Sequence, residues 1–254
     1  MTGWPDIQDE LARWRDAGRA PVLWWRDDDA ADATPALDRL LTLHEAHRVP
    51  LALAVVPANA TPALAARLAA APGVDLLQHG YAHTDHAPAG EKKCEIGLHR
   101  PPMVVLGELG TGWLAMERLF GRRGLPVLVP PWNRIAPALV PALPEVGYRG
   151  LSTFDIRPRA RPVSGLVQVN AHVDLIDWRA SRFAGSETVL AALARALAAA
   201  RTTTDEPVGI LSHHLAMDEA AWDFLSSFWG MMKGALGAKI APANDLFASR
   251  EARV

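Results

Sequence analysis

A single cysteine, Cys94, stands in the 254 residues. It excludes an internal disulfide and any cysteine-rich zinc site. An excess of either charge is missing too: 26 Lys and Arg against 28 Asp and Glu leave a formal net charge of −2. Without a basic face, nucleic acid is not an expected partner. No run approaches the roughly 18 apolar residues that a membrane-spanning helix needs, so no membrane partner is expected. The opening MTGWPDIQDELARW lacks the basic region and apolar run of an export signal, and the expected location is cytoplasmic. There is no Gly/Ser linker, no internal repeat and no GxGxxG turn after the first apolar run. A second domain and a dinucleotide site therefore lack support, and 1–254 reads as a single domain.

What is present is apolar. Half of the residues are hydrophobic and 21% are charged, enough to bury a large core. Short apolar runs expected as strands fall at 20–25, 50–56, 74–77, 127–129, 151–154, 166–170, 208–212 and 239–241. Segments with helical spacing fall between them at 6–18, 34–48, 61–70, 106–120, 137–146, 187–201 and 217–236. Residues 83–102 read as a long polar loop, a length that is often functional. Strand and helix in alternation predict an α/β fold with a parallel sheet wrapped by helices. The expected form is a barrel, with an open doubly wound sheet as the alternative.

Polar residues punctuate the strand ends, where parallel α/β folds carry their sites. The first apolar run meets Arg26-Asp27-Asp28-Asp29 and is expected to break there. Adjacent carboxylates repel unless a cation compensates; the run reads either as a metal or arginine site or as a cap on the following helix. The 74–77 strand runs into His79-Gly80-Tyr81-Ala82-His83, with His86 beyond. Two histidines four apart would share one face of a helical turn and grip one metal. Pro130-Pro131-Trp132-Asn133 follows the 127–129 strand. His172, Asp174, Asp177 and Trp178 cluster after 166–170, and His213-His214 follow 208–212. A tryptophan beside carboxylates suits a sugar-binding wall.

Taken in order, these motifs resemble the five signature motifs of the polysaccharide deacetylases, the NodB-homology carbohydrate esterases. The resemblance runs from about Leu23 to Leu215. Asp28-Asp29 resembles the family's Asp pair, with Asp27-Asp28 as the other register. His79 to His83 is similar to its His-(Ser/Thr)-x-x-His motif, with Gly80 in place of the hydroxyl residue. Val129-Pro130-Pro131-Trp132 looks like its Arg-Pro-Pro-aromatic loop with the arginine missing; Arg26 and Arg134 are the replacements within the sequence. Asp174-Leu175-Ile176-Asp177-Trp178 matches Asp-x-x-Asp-Trp, and Leu211-Ser212-His213 resembles Leu-x-His.

The resemblance implies a distorted (β/α) barrel of about seven parallel strands. It implies a hydrolase that removes an N-acyl group, typically acetyl, from an amino sugar. Asp29, His79 and His83 would hold one divalent metal, zinc by ligand type, with Asp28 as base and His213 as acid. Asp174 or Asp177 would orient His213. Trp132, Asn133, Trp178 and His214 would line or support the substrate groove. Two other readings keep the motifs: an amidohydrolase acting on a small non-polymer amide, and a non-catalytic carbohydrate-binding relative. Lys92, Lys93, His99 and Arg100 in the long loop would suit an anionic substrate group or form a solvated charged loop.

Overall fold

A computed structural model describes residues 2–234 and 238–248. Strands β1 (Val22–Ala30), β2 (Leu51–Val55), β3 (Val74–His79), β4 (Gly124–Val129), β5 (Gly150–Leu151), β6 (Val167–Gln168) and β7 (Ala171–Asp174) come first. The hairpin strands β8 (Ile176–Asp177) and β9 (Arg182–Phe183), then β10 (Val208–Ser212) and β11 (Lys239–Ile240), follow. The parallel sheet runs β6-β5-β4-β3-β2-β1-β10-β7, with β11 added beside β1. Its two ends meet. Only Val169 and Asn170 separate β6 from β7, and the ladder bridges them. Val169 N–H donates to Leu151, Ala171 N–H to Thr153, and Asp155 N–H to Ala171. Counted as one stave, β6 and β7 close a distorted barrel of seven parallel strands, as the sequence resemblance implied.

Helices α1 (Trp4–Asp16), α2 (Pro35–His47), α3 (Pro62–Ala69), α4 (Pro102–Phe120), α5 (Ser186–Ala199), α6 (Glu219–Gly234) and α7 (Ala243–Phe247) complete the chain. Their spacing explains their docking. On α1, Ile7, Leu11 and Trp14 are buried, a stripe at i, i+4 and i+7 on the side that packs against α5, where the Trp14 indole donates to the Leu197 carbonyl at 3.2 Å. Each such side chain contributes about 1.5–3 kcal/mol on burial. Thr34 and Thr61 cap α2 and α3 by accepting the N–H of Leu37 and Leu64, with proline in the first turn of each helix. Among the described residues no helix is long and apolar enough to cross a membrane. The end of the helix expected over 217–236 lies outside the described residues.

Inside the barrel, small Ala52 and Ala54 leave room for Trp24, which meets Phe247 of α7 edge-on at 6.0 Å. α7 thus plugs the end of the barrel where the strands begin, and the other end stays open for chemistry. The first strand does not break at its acidic run. β1 continues to Ala30, because alternate residues find partners on opposite faces. Trp24, Arg26 and Asp28 share the inner face with the barrel core, whereas Leu23, Trp25 and Asp27 share the outer face beneath the helices. A register shift between Asp27 and Ala30 then lets the chain turn at Asp29, whose φ is 75°.

Candidate metal centre and catalytic cleft

The open end of the barrel holds a cleft of about 640 Å³. Asp28, Asp29, His79, His83, Trp132, Asn133, Asp174, Trp178 and His213 line it, joined by Lys93, Arg134, Phe154 and Ile176. The first nine of these, all singled out in the sequence, thus converge from five separate segments. Asp177 and His214 do not. Asp177 caps the turn of the β8–β9 hairpin, its Oδ1 accepting the N–H of Arg179 (2.9 Å) and Ala180 (3.3 Å). His214 points to the other side of the wall, where its Nδ1 lies 2.5 Å from Asp27 Oδ1. Asp27 Oδ2 also accepts the Ser212 hydroxyl (2.5 Å) and the His214 N–H (3.1 Å). Asp27 is therefore engaged outside the barrel, which leaves Asp28-Asp29 as the pair at the cleft.

Asp29 Oδ1 lies 3.1 Å from His79 Nε2 and 3.2 Å from His83 Nε2. One ligand atom from each of the three residues falls within 4.8 Å of the others. No helical turn brings the histidines together, contrary to their spacing. His79 ends β3, and the chain turns back through left-handed backbone at Gly80 (φ 58°) and His83 (φ 56°). Buried Glu95 holds that turn, accepting the N–H of Tyr81 (3.0 Å), Ala82 (2.8 Å) and Thr84 (3.2 Å). It also explains the glycine: a Cβ on residue 80 would sit 1.9 Å from Glu95 Oε2 and 2.6 Å from Pro131. His86 is not among the grouped ligands. Its N–H instead donates to Cys94.

The tautomer of His79 suits a cation. Its Nδ1 is 3.0 Å from the Val129 carbonyl, so Nδ1 carries a proton toward that oxygen and Nε2, on the Asp29 side, is the nitrogen that would turn to a cation in place of its own proton. Burial pushes the Asp29 carboxyl up, but hydrogen bonds from His79 and His83, with the charge of His79 and His213, outweigh it and hold it far below the usual range. Burial pulls His79 down, and the charges of Asp28 and Asp29 outweigh that and raise it.

Asp28 has a buried cation of its own. Arg26 Nη2 donates to Asp28 Oδ2 at 3.0 Å, and Arg26 Nε closes the pair side-on at 2.9 Å from Oδ1. The same guanidinium donates to Asn133 Oδ1 (2.6 Å), Ser152 Oγ (2.7 Å) and the Thr153 carbonyl (3.2 Å). Arg134 instead donates to the Lys93 carbonyl at 2.8 Å. Of the two arginines available in place of Val129, Arg26 is the one beside Asp28. Two residues along the same strand, it is the neighbour on the same face.

Across the cleft, His213 Nδ1 is buried without a hydrogen-bond partner, 3.8 Å from Asp174 Oδ1. Trp178 packs edge-on to its ring at 4.6 Å and donates its indole N–H to Asp174 Oδ2 at 2.9 Å. Burial raises the Asp174 carboxyl, the charge of His213 opposing it. Trp132, with φ 53°, turns its ring to 4.5 Å from His83. Half-exposed Trp178 and Trp132 thus form two aromatic walls. Arg26 and Glu95 are the supporting residues that spacing alone does not assign; Phe154 follows the strand-end rule, coming just after β5.

No family model matches the chain by sequence, and no curated protein matches it. Solved structures do. A candidate polysaccharide deacetylase from Mycobacterium smegmatis is similar at 16% identity, over 91% of this chain and 90% of that one, with a TM-score of 0.64. T48 deacetylase with substrate is similar at 20% identity, over 91% and 92%, with a TM-score of 0.58. A family 4 carbohydrate esterase from Streptomyces lividans, in complex with acetate, is similar at 15% identity, over 88% and 91%, with a TM-score of 0.56. Across almost its whole length, this chain has the NodB-like barrel fold of the polysaccharide deacetylases.

Proposed function

We propose that this chain is a metal-dependent hydrolase that removes an N-acyl group, acetyl in the simplest case, from an amino sugar or related carbohydrate, with residues 1–254 acting as one catalytic domain. One observation carries the reading. A three-residue ligand set, a carboxylate with its own buried arginine and a histidine beside a carboxylate all face one cleft. Each would be costly to hold there without a use.

Asp29, His79 and His83 would hold the cation, and the mixed Asp and His donor set fits zinc or a similar divalent ion. Such an ion supplies a Lewis acid for the acyl carbonyl and a more acidic water. The protein's own groups do the rest. Asp28 takes the proton from the attacking water at its carboxylate, and Arg26 orients that carboxylate. His213 donates a proton to the leaving nitrogen, because an amide does not expel an unprotonated amine anion. Asp174 stabilises the charged imidazole from the Nδ1 side. Trp132 and Trp178 hold the sugar between aromatic faces and narrow the access of water.

The test begins with metal content. Elemental analysis of the purified wild type should find about one equivalent of a divalent ion, absent from a His79→Ala/His83→Ala double variant. The wild type should release acetate from N-acetyl amino sugars and stop when a chelator is added. A protein that takes up no metal on reconstitution, or works unimpaired in chelator, would refute the proposal.

A further inference from the structure

The cleft contains more positive charge than the hydrolytic reading uses. Its three carboxylates are committed: Asp28 to Arg26, Asp29 to His79 and His83, Asp174 to the Trp178 indole and the Ile176 N–H. Its two remaining cations, Lys93 and Arg134, form no ion pair among the described residues. Asp85 feels the charge of Lys93, but its Oδ1 already accepts the N–H of Ala87 and Cys94, each at 3.0 Å. Two other basic groups of this loop are engaged away from the cleft. Arg100 grips Glu108 through two hydrogen bonds (2.7 and 2.8 Å), and His99 stands 3.9 Å from Glu91.

Lys93 is not simply a lysine on a free loop. Arg134 Nη1 donates to its carbonyl at 2.8 Å, Ala136 N–H donates to Ile96 at 2.8 Å, and buried Ile96 bridges Ile135. The segment is therefore zipped to the loop that follows β4. The ammonium lies 5.8 Å from the centre of the Trp132 ring, which is 4.5 Å from the His83 ring; laid end to end, these spans bound the ammonium at about 10 Å from His83. A single sugar ring with one substituent bridges such a gap.

We infer that the natural substrate is an acylated amine that also carries an anionic group, a carboxylate or a phosphate, received by Lys93 and Arg134. The inference rests on the hydrolase reading for the acyl group, and it narrows the substrate class. A planar guanidinium and an ammonium lining one cleft suit an oxyanion, which accepts several charge-assisted hydrogen bonds. Such bonds correspond to about a ten-fold gain in affinity or more.

Steady-state kinetics on metal-loaded protein with three sugars test it: N-acetylglucosamine, N-acetylglucosamine 6-phosphate and N-acetylmuramic acid. At least one anionic sugar should exceed the neutral one about ten-fold in kcat/KM, through KM, and the advantage should shrink with added salt. The two anionic sugars separate phosphate from carboxylate. Lys93→Met, which keeps the length and apolar character of the stem, should bring anionic and neutral sugars to within about two-fold. Lys92→Met, which alters a lysine outside the cleft lining, should leave the wild-type ratio. Equal kcat/KM for all three sugars overturns the inference. So does a preference that Lys93→Met leaves intact, since the metal alone would then attract the anion, or one that Lys92→Met abolishes equally. If no sugar is hydrolysed, calorimetry with the same sugars still decides. Tighter binding of an anionic sugar, lost in Lys93→Met, keeps the anion site while the hydrolase reading falls; equal binding, or none, overturns it.

Discussion

Replacing Arg26 with methionine should remove the working state of Asp28 and much of the stability of the barrel. Arg26 and Asp28 are 0% and 2% exposed at their side chains. Deleting one partner of a buried ion pair costs about 3–5 kcal/mol, because the other charge is left without compensation. Asn133 Oδ1, Ser152 Oγ and the Thr153 carbonyl lose a donor at the same time, each worth about 1–3 kcal/mol where no water replaces it. These terms share one guanidinium and do not add. Even the first is a large part of the ~5–15 kcal/mol that holds a domain folded. Asp28 also loses the donors that hold its carboxylate in place, so kcat should fall by about 10²–10⁴.

The decisive variant returns the charge from the other wall. Val129 is fully buried on the inner face, in the same cluster as Trp24. Val129→Arg alone overpacks the barrel, at about 1–3 kcal/mol, and adds a second buried cation. Combined with Arg26→Met it restores one cation for one carboxylate. The double variant should be more stable than the sum of the singles by at least ~1 kcal/mol and recover at least ~10-fold in kcat over Arg26→Met. Urea unfolding and acetate release on metal-loaded protein measure both. Additive stabilities with no recovery of turnover would show that the guanidinium serves the fold and not Asp28. Wild-type kcat in Arg26→Met would refute the reasoning at its root.

Three further variants probe the rest of the site. Asp28→Asn should keep the metal, by elemental analysis, while losing about 10²–10⁴ in kcat; loss of metal would mean that Asp28 is a ligand. Gly80→Ala forces a Cβ to 1.9 Å from Glu95 Oε2 on left-handed backbone, so it should destabilise by more than ~1 kcal/mol and weaken metal retention, and a neutral effect in urea unfolding would refute the role given to Glu95. His214 is pulled down by burial, but the charge and hydrogen bond of Asp27, with the charge of Asp29, outweigh that and raise it. Its stabilisation is therefore complete below its unfolded value near ~6.5 and is lost as pH rises through the raised folded value. Urea midpoints of the wild type should decline over that window relative to His214→Gln, and parallel curves would contradict the assignment.

The location of the cleft was legible because polar clusters end apolar runs, and in a parallel barrel all such ends face one way. The convergence of Asp28, His79 and His213 follows from that rule alone. Less legible was anything decided by a partner distant in sequence. β1 was expected to stop at Arg26, yet it continues because Asp27 meets Ser212 and His214 outside while Arg26 meets Asp28 inside. Spacing suggested a helical turn for His79 and His83, but Glu95, over ten residues along the chain, holds a different turn. His172 and Asp174, which cluster after the expected 166–170 strand, stand in a strand of their own, β7, where His172 Nδ1 accepts the Gly209 N–H at 3.1 Å. His213 and His214 could have been told apart in advance, since neighbours on a strand-like path face opposite ways.

The two departures from the deacetylase motifs bear on whether the cleft still has work to do. Where the motif arginine gives way to Val129, Arg26 places a guanidinium on Asp28; where the motif hydroxyl gives way to Gly80, Glu95 fills the space and ties the loop. Each change is matched by a residue that supplies the same physical need from elsewhere. A barrel relieved of chemistry would have a cheaper course, since replacing a buried ion pair by apolar residues of similar volume is commonly neutral or stabilising. Asp28 and Arg26 instead persist as a pair, almost completely buried, beside the grouped Asp29, His79 and His83 with an accessible cleft above them. Stability gives no reason for that arrangement, whereas the proposed hydrolase, with Asp28 as its base, supplies one.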